Sequence, residues 1–257
     1  MKKLIFASLL TFGAFLMTSC LGEGSNQQSG VSYGVVDISE KTFQKIIQTA
    51  WGSVYSAEVA RSTDLTIGDC CQFAFVLDGD IPENTSEAIA SNGYYTVTVS
   101  QYADVPKSSA VPYLEDTAAI SEKELTVASV DLSNTGFIAT SGALYLFLQT
   151  YHEGFSTDQE QTFSMSFDSN QKPEQVNGKN VYNLYLRVKK TEDGKSLTST
   201  VGLVNAFDLY NFIYNVKAKG EDDVKFQINY INSLNDDKTE ATWKSSDVMT
   251  YTFSDDE

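Results

Sequence analysis

The stretch Tyr182-Asn183-Leu184-Tyr185-Leu186-Arg187-Val188 shows most plainly how this chain folds. Its even-numbered residues are all apolar, whereas two of the three residues between them are polar. Successive side chains of a strand point to opposite faces of a sheet, so this alternation predicts a strand with one face on a core and one towards water. Residues 95–99 and 226–230 alternate in the same way. The pattern is typical of antiparallel sheets.

Aromatic and β-branched residues are concentrated in nine segments, and each segment is expected to be a strand. The nine are residues 33–38, 72–77, 94–101, 143–151, 162–167, 181–189, 197–204, 224–231 and 248–253. Turn dipeptides lie between or beside them, namely Asp78-Gly79, Asn92-Gly93, Asn177-Gly178 and Asp193-Gly194. The chain is therefore predicted to be all-β and mostly antiparallel.

Two stretches depart from the strand pattern. After Ser39, a candidate N-cap, apolar residues recur at helical spacing at Phe43, Ile46, Ile47, Ala50 and Trp51, which predicts one short helix over residues 40–51. Residues 208–220 scan as a helix that ends at a glycine, but their Tyr, Asn and Ile content favours a strand equally. The second stretch is left open between helix and strand.

The alternation stops between residues 103 and 121, where two of the four prolines fall. This interruption predicts a domain boundary. We expect an N-terminal β domain at residues 31–112 and a C-terminal β domain at residues 113–257.

The first twenty residues have the layout of an export signal. Lys2 and Lys3 precede a nearly continuous apolar run from residue 4 to residue 16, which is too short to be a good membrane span. Met17-Thr18-Ser19-Cys20 resembles a bacterial lipobox, in which small residues give a peptidase access and the thiol carries the lipid. We predict that residues 1–19 are a signal peptide and that Cys20 is lipidated. The small, polar residues 20–30 are expected to be a flexible tether.

The formal net charge is −16, and it becomes −18 once Lys2 and Lys3 leave with the signal peptide. An acidic chain is repelled by nucleic acid and by anionic lipid headgroups. The lipid on Cys20 is therefore the expected membrane attachment, and nucleic acid is not expected as a partner.

A lipidated leader, then a smaller β unit and a strand-dense half with Val181-Tyr182-Asn183-Leu184-Tyr185-Leu186 and Phe226-Gln227-Ile228-Asn229-Tyr230, resembles the NigD-like lipoproteins of gut Bacteroidetes. This resemblance implies a small OB-like β-barrel followed by an immunoglobulin-like β-sandwich, in an outer-membrane lipoprotein at the cell surface or on the periplasmic face. The family has no established activity. A fimbrillin-like lipoprotein is the second choice.

No catalytic constellation is evident in the sequence. His152 is the single histidine, no G-x-S-x-G elbow accompanies it, and a structural histidine is the preferred interpretation. Gly194-Lys195-Ser196 lacks the upstream glycine of a phosphate-binding loop, because Lys189 stands there, and is interpreted as a hairpin turn.

The cysteines and the acidic loops also receive structural interpretations. Adjacent Cys70 and Cys71 would point to opposite faces of a strand, which favours at least one buried, unreactive thiol over a vicinal disulfide. Residues 78–84 and 235–240 carry several oxygen donors without the spacing of an EF-hand, so solvated turns are preferred to Ca²⁺ sites. No metal and no cofactor is predicted.

Three functions stay open at this point. The first is a non-catalytic binding or interaction module, whose partner is another outer-membrane protein or a glycan. The second is a glycan hydrolase with dispersed carboxylates, and the third is a fimbrial or structural subunit. We prefer the first and expect the protein not to be an enzyme. The tripeptide Asp116-Thr117-Ala118 fits a bacterial O-glycosylation pattern, which makes Thr117 a candidate modification site.

Overall fold

The computed structural model describes residues 26–113, 120–133, 136–156 and 158–253. They divide into two compact units, of which one contains residues 26–107 and 136–144. The other contains residues 108–133 and 145–253 within the described ranges. The chain therefore forms most of the first unit before residue 108 and returns to it at residues 136–144. The expected division at residue 112 does not include this return.

The first unit is a closed barrel of five strands. They are β1 (Gln27–Ile38), β2 (Lys45–Thr49), β3 (Gly52–Tyr55), β4 (Cys70–Asp78) and β5 (Tyr95–Asp104). The order around the barrel is β1-β2-β3-β5-β4, and the short helix α1 (Ala57–Arg61) lies between β3 and β4 in the sequence. A five-stranded closed barrel is what the OB-like prediction requires.

The barrel interior collects the inward side chains of every strand, including Val36, Ile47, Val54 and Phe73. At Val35, β1 pairs with both β2 and β4, so the sheet closes there. The neighbouring Gly34 has no room for a side chain, because a Cβ would lie 2.1 Å from Cγ2 of Ile47. This glycine lets the backbones approach closely enough for closure.

The helix predicted over residues 40–51 is wrong, because these residues form a loop, then β2, then the turn into β3. Ile46 and Ile47 are both buried, yet as neighbours on a strand they face opposite sides of the sheet. Phe43, the first apolar residue of the supposed helical stripe, is 79% exposed. Phe43 lies in solvent, Ile47 lies in the barrel core and Ile46 is buried on the other side of β2. These residues share a helical spacing in the sequence but not one face of a helix.

The second unit is a large sheet with one helix. The elements that follow β5 in the chain are β6 (Lys107–Val111), β7 (Glu124–Leu125), β8 (Ser129–Asp131), β9 (Phe137–Thr140), β10 (Ala143–Ser156), β11 (Glu160–Ser166), β12 (Glu174–Val176), β13 (Lys179–Glu192), β14 (Thr198–Asp208), α2 (Tyr210–Lys217), β15 (Asp223–Leu234), β16 (Ala241–Ser245) and β17 (Met249–Thr252). β9 and the start of β10 belong by their contacts to the barrel unit. The stretch left open at residues 208–220 contains a helix, α2.

The main path of this sheet is β16-β15-β13-β11-β6-β14-β10-β8. β6 pairs with β11 and stands next to β14, so it joins the two halves of the expected sandwich into one curled sheet. The residues Leu184, Leu186 and Val188 of β13 are fully buried as the alternation predicted. Asn183 and Arg187 on the opposite face are buried as well, so the prediction that this face meets water is wrong. The all-β prediction is thus confirmed, although β3–β5, β6–β11 and β13–β15 pair in parallel.

Two further details differ from the sequence expectations. Among the described residues, α-helix is distributed over three short segments rather than one, namely α1, α2 and Ser86–Asn92. In addition, β1 begins at Gln27, inside the segment expected to be a tether. The turn prediction at Asn177-Gly178 is confirmed, since both residues have positive φ between β12 and β13.

Candidate ligand-binding cleft

A cleft of about 540 Å³ opens on the side of the barrel unit. Its walls come from the end of β1, the loop 39–44, β2, β3, the end of the β4–β5 connection and the turn from β9 to β10. The lining residues are Asp37, Ile38, Ser39, Glu40, Lys41, Ile46, Gln48, Ser53, Gly93, Ala139, Thr140 and Ser141. In OB barrels, the face of strands 2 and 3 and the loops after strands 1 and 4 are where ligands bind.

Strand alternation explains why polar side chains reach this cleft. Val36, Ile47 and Val54 point into the barrel core, so their neighbours Asp37 and Ser53 point outwards. Asp37 lies opposite Ile46 in the register of β1 and β2, and Ile46 is only 2% exposed. The apolar surface beside the carboxylate of Asp37 comes instead from Ile38, which lines the cleft and is 40% exposed.

The β2–β3 hairpin adds an amide and a hydroxyl. Gln48 and Ser53 are register partners, and the hydroxyl of Ser53 donates to Oε1 of Gln48 over 2.7 Å. β9 contacts β1 and β2, which brings the turn residues Thr140 and Ser141 to the same cleft. Hydroxyl and amide groups from three separate segments thus converge on one volume.

The loop 39–44 is fixed to the β4–β5 connection. The ammonium group of Lys41 donates to the carbonyl of Ala90 over 2.8 Å, and the hydroxyl of Ser39 donates to the carbonyl of Asn92 over 3.4 Å. Two walls of the cleft are therefore tied together without a ligand. Because its ammonium is engaged by a carbonyl, Lys41 does not pair with the carboxylates of Asp37 and Glu40 through any contact in the described chain.

The lining of the cleft is rich in groups that form hydrogen bonds. Hydroxyls, an amide and two carboxylates can accept and donate hydrogen bonds to a polar ligand. The twelve lining residues include neither histidine nor cysteine, so this cleft contains no imidazole base or thiol nucleophile. The carboxylates of Asp37 and Glu40 both come from one segment, the end of β1 and the loop after it.

Cys70 and Cys71 are buried at the start of β4 and are not joined in a disulfide, which confirms the structural interpretation. Cys71 belongs to the barrel core, and burial raises its pKa to about 12. A thiol with so high a pKa is protonated at neutral pH and therefore unreactive.

His152 is a buried structural residue of β10, again as predicted. Its Nδ1 lies 3.0 Å from the carbonyl of Thr126 and its Nε2 lies 2.8 Å from the hydroxyl of Thr150. A carbonyl can only accept, so Nδ1 carries the proton and Nε2 accepts from Thr150. Both nitrogens are used inside the protein, and none is left to act on a substrate.

The acidic loop at residues 78–84 is a structural turn. The amide of Asn84 donates to the carbonyls of Asp78 and Thr96, and its oxygen accepts from the backbone of Thr96. Asp80 accepts from the side chain of Asn26, the first described residue. Within the described part of the chain no group of three or more His, Cys, Asp or Glu side chains could hold a metal.

Gly194-Lys195-Ser196 does bind an anion, but the anion is part of the chain. The backbone N–H groups of Lys195 and Ser196 and the hydroxyl of Ser196 all donate to the carboxylate of Asp158. A Cβ at Gly194 would lie 2.6 Å from Oδ1 of Asp158, so only glycine allows this approach. The loop joins β13 to β14, which do not pair with each other, so the hairpin interpretation is wrong. The anion position of the loop is already filled by Asp158.

Cys20 and Thr117, the two residues singled out for modification, lie outside the described residues. Sequence reasoning missed the residues of the cleft altogether. Polar Asp37, Gln48 and Ser53 each neighbour a buried apolar residue of a strand, and this alternation could have indicated an outward-facing polar surface. The helix predicted over residues 40–51 concealed that β2 and β3 are strands.

Sequence comparison recognises the same barrel. Residues 24–103 match the family described as Lipoprotein OB domain, which covers the barrel strands and associates the chain with the lipoproteins of the cell envelope. The part of the chain that the structure describes contains no helix long and apolar enough to cross a membrane. No curated protein matches the sequence.

Solved structures extend the likeness to both units. An uncharacterized protein from Parabacteroides merdae is 27% identical with a TM-score of 0.76, covering 87% of this chain and 98% of its own. A putative lipoprotein from Bacteroides fragilis is 12% identical with a TM-score of 0.56, covering 85% and 97%. A NigD-like immunity protein from Bacteroides caccae is 11% identical with a TM-score of 0.47, covering 87% and 97%. The resemblance to Bacteroidetes lipoproteins with an N-terminal OB domain is confirmed by the family match and by the fold.

Proposed function

We propose that this protein is a lipid-anchored envelope lipoprotein that works as a non-catalytic binding module, with the barrel-side cleft as its binding site. The observation that carries the proposal is the convergence of polar side chains from β1, β2, β3 and the β9–β10 turn on one cleft of about 540 Å³. Pockets that bind small ligands combine apolar surface with a few placed polar groups. Ile38, which is exposed at the end of β1, supplies the apolar part here.

The membrane attachment in this proposal is a lipid on Cys20, with residues 1–19 removed. The family match to a lipoprotein domain and the lipobox-like sequence support it. We place the protein in the outer membrane, on the cell surface or on the periplasmic face. Its partner would be a glycan or another outer-membrane protein, and nucleic acid is disfavoured by the net charge of −16.

The test is a cleft-filling substitution. Ser53→Trp places a large ring in the cleft, and the matched control Thr198→Trp changes an exposed strand residue of the second unit. Each protein, prepared without the lipid, is screened by thermal unfolding against neutral oligosaccharides, acidic oligosaccharides and short peptides. A bound ligand stabilises the native state by mass action, so wild type and Thr198→Trp should be stabilised by the same compounds and Ser53→Trp by none of them.

Equal stabilisation of Ser53→Trp and wild type would remove the cleft from the proposal. The hydrolase alternative predicts something different, because Asp37 and Glu40 lie in the same cleft. It requires new reducing ends to appear when wild type is incubated with an oligosaccharide, and their loss in Asp37→Asn. Intact oligosaccharide after prolonged incubation supports binding without catalysis.

Glycosylation of Thr117 belongs to the same proposal as a surface modification. The residue follows Asp116 in the stretch 103–121, where the strand pattern of the sequence is interrupted and two prolines fall. Intact-mass measurement of the native protein and of Thr117→Val tests whether Thr117 carries a glycan. A mass of polypeptide plus lipid alone in the native protein would exclude the glycan.

A further inference from the structure

The chain contains two Asn-Gly dipeptides, Asn92-Gly93 and Asn177-Gly178, and the fold holds them in different ways. An asparagine side chain ends in an amide, and the backbone nitrogen of the next residue can attack the carbonyl carbon of that amide, Cγ. Glycine favours this attack because it has no side chain to obstruct the nitrogen or to restrict the backbone. The two dipeptides share this local chemistry, so a difference in their reactivity comes from the fold.

Asn177-Gly178 forms the tip of the β12–β13 hairpin. φ is +52° at Asn177 and +75° at Gly178, as in the type I′ turns that join two strands through two residues. Both residues are exposed. Neither the backbone N–H of Gly178 nor the side-chain amide of Asn177 makes a hydrogen bond to another described residue. Both groups that would react are therefore free of intramolecular partners.

The hairpin that carries this tip is short. β12 pairs with β13 over three residues, with 174–176 opposite 179–181. Glu174 and Gln175 are exposed, so little apolar burial holds the strand in place. Segments with few buried contacts open locally at a low cost in free energy. Such opening gives the turn the backbone freedom that ring closure requires.

Asn92-Gly93 is held more firmly. Asn92 is the last residue of the helix Ser86–Asn92, and the backbone N–H of Gly93 donates to the carbonyl of Ile89 over 2.8 Å. The carbonyl of Asn92 accepts a hydrogen bond from the hydroxyl of Ser39 over 3.4 Å. The nitrogen that would attack is therefore engaged, and reaction at Asn92 requires the last turn of the helix to open.

We propose that Asn177 is a site of spontaneous covalent modification to aspartate and isoaspartate, and that the fold protects Asn92 from the same reaction. The backbone nitrogen of Gly178 forms a bond to Cγ of Asn177, its proton passes to the departing amide nitrogen, and ammonia leaves a cyclic succinimide. Water then opens the ring at one of its two carbonyls. Attack at Cγ breaks the new bond and gives aspartate. Attack at the backbone carbonyl breaks the original peptide bond and gives isoaspartate, whose main chain runs through Cβ and Cγ.

The isoaspartate product changes the backbone of the hairpin as well as its charge. It inserts the Cβ methylene into the main chain of a turn whose two residues set the register between Val176 and Lys179. A longer main chain no longer fits this turn, so we expect β12 to separate from β13. β13 itself stays paired with β11 and β15.

The experiment compares the two dipeptides within one protein. Purified protein is incubated in mildly alkaline buffer, with and without concentrated urea, and peptide mass spectrometry follows the amide-to-acid mass increase at each asparagine. In the folded protein Asn177 should react at least about tenfold faster than Asn92, because reaction at Asn92 must first open hydrogen bonds that contribute about 1 kcal/mol each. In urea the two rates should agree within about threefold, because the fold no longer distinguishes the two sites.

Two outcomes would overturn the modification site. One is an equal rate at Asn92 and Asn177 in the folded protein. The other is a folded protein in which Asn177 stays unmodified for as long as the protein in urea needs to react completely.

The variant Asn177→Gly is the control for the effect on the hairpin, because a Gly-Gly turn adopts positive φ at both positions and has no amide to lose. Isoaspartyl methyltransferase labels isoaspartate, and hydrogen exchange at the amides of β12 should become faster as the labelled fraction of wild type rises. Incubated Asn177→Gly should show no label and no change in exchange. Unchanged exchange in labelled wild type would overturn the separation of β12 from β13 and leave the modification site in place.

Discussion

At the scale of single residues, His152 is a buried titratable group with a measurable consequence. Burial lowers its pKa from 6.5 to about 4, against the opposing effect of the carbonyl of Thr126. Between pH 6.5 and pH 4 the unfolded chain binds a proton that the folded protein does not. The contribution of His152 to stability is therefore complete above pH 6.5 and is lost as the pH falls towards 4.

We expect this single residue to lower the free energy of unfolding by about 3 kcal/mol between pH 7 and pH 4, at roughly 1.36 kcal/mol per pKa unit. Urea unfolding of wild type and of His152→Gln at a series of pH values measures it. Carboxylates such as Asp158 titrate in both proteins, so the difference between the two curves isolates the imidazole. A difference that does not change with pH across this window would contradict the assignment.

Arg187 and Glu124 form an ion pair without solvent exposure. Nε and Nη2 of Arg187 donate to the two carboxylate oxygens of Glu124, over 2.9 Å and 2.5 Å, and both side chains are 0% exposed. The pair holds β7 onto β13, where Glu124 is the register partner of Lys189. Removing one partner leaves a buried charge without compensation.

Glu124→Gln is accordingly expected to destabilise the protein by about 3 kcal/mol or more, whereas Arg187→Met combined with Glu124→Leu should recover much of that loss. The exposed pair of Lys190 and Asp193 is the control, and Asp193→Asn should change the unfolding free energy by less than about 1 kcal/mol. Chemical denaturation of the four proteins provides the comparison. Equal effects of Glu124→Gln and Asp193→Asn on the free energy of unfolding would show that burial does not determine how much an ion pair stabilises this protein.

At the scale of elements, the carboxylate of Asp158 joins the β10–β11 turn to the β13–β14 loop. Its hydrogen bonds to Ser196 and Lys195 lower its pKa to about 2. The ionised carboxylate is favoured in the folded state, so this contact is complete above pH 3.8 and is lost as the pH falls towards 2.

Asp158→Asn should loosen this contact, because an amide oxygen accepts these hydrogen bonds more weakly than a carboxylate. Faster hydrogen exchange is expected at the backbone amides of Lys195 and Ser196, with unchanged exchange in β13. Asp193→Asn, in the same loop but bonded to Lys190, is the control. Unchanged exchange at Lys195 and Ser196 in Asp158→Asn would show that other contacts hold the loop.

Elements were easiest to predict where one face is buried and the other is wet. β15 alternates because it packs one side on the core. In β13 the apolar residues also alternate along the sequence, although Asn183 and Arg187 on the other face are buried too. Within residues 40–51, the strand β2 is buried on both faces. Ile47 points into the barrel core, and Ile46 is buried on the opposite face, beside the cleft. A strand buried on both faces loses its period of two, and the remaining spacing imitated a helix.

At the scale of the whole molecule, the proposed anchor has one decisive variant. Cys20→Ala should move the protein from the membrane fraction to the soluble fraction, because the described chain contains no membrane-spanning helix and the net charge of −16 opposes binding to anionic lipid. Cell fractionation with a high-salt wash tests it, and Cys70→Ala controls for loss of a thiol. Continued sedimentation of Cys20→Ala with membranes would contradict the lipid anchor.

Residues close together in the sequence were sufficient to predict the repeating strand patterns and the features that depend on a few neighbouring side chains. The alternation in residues 182–188, the turn at Asn177-Gly178 and the structural role of Cys71 all follow from side chains within a few positions of one another. The all-β class and the OB-like barrel were predicted on this basis and on resemblance.

The tertiary structure alone decided which distant segments meet. The cleft needs β1, the β2–β3 hairpin and residues 139–141, which are about a hundred positions apart, and no local pattern records that return of the chain. The partner of His152 at Thr126, the partner of Arg187 at Glu124 and the carboxylate that fills the loop at Ser196 are likewise remote in sequence. Side-chain period reports which face of a strand is buried, but pairing across the chain is set by the packing of the whole sheet, which is why the fold could be predicted and the candidate site could not.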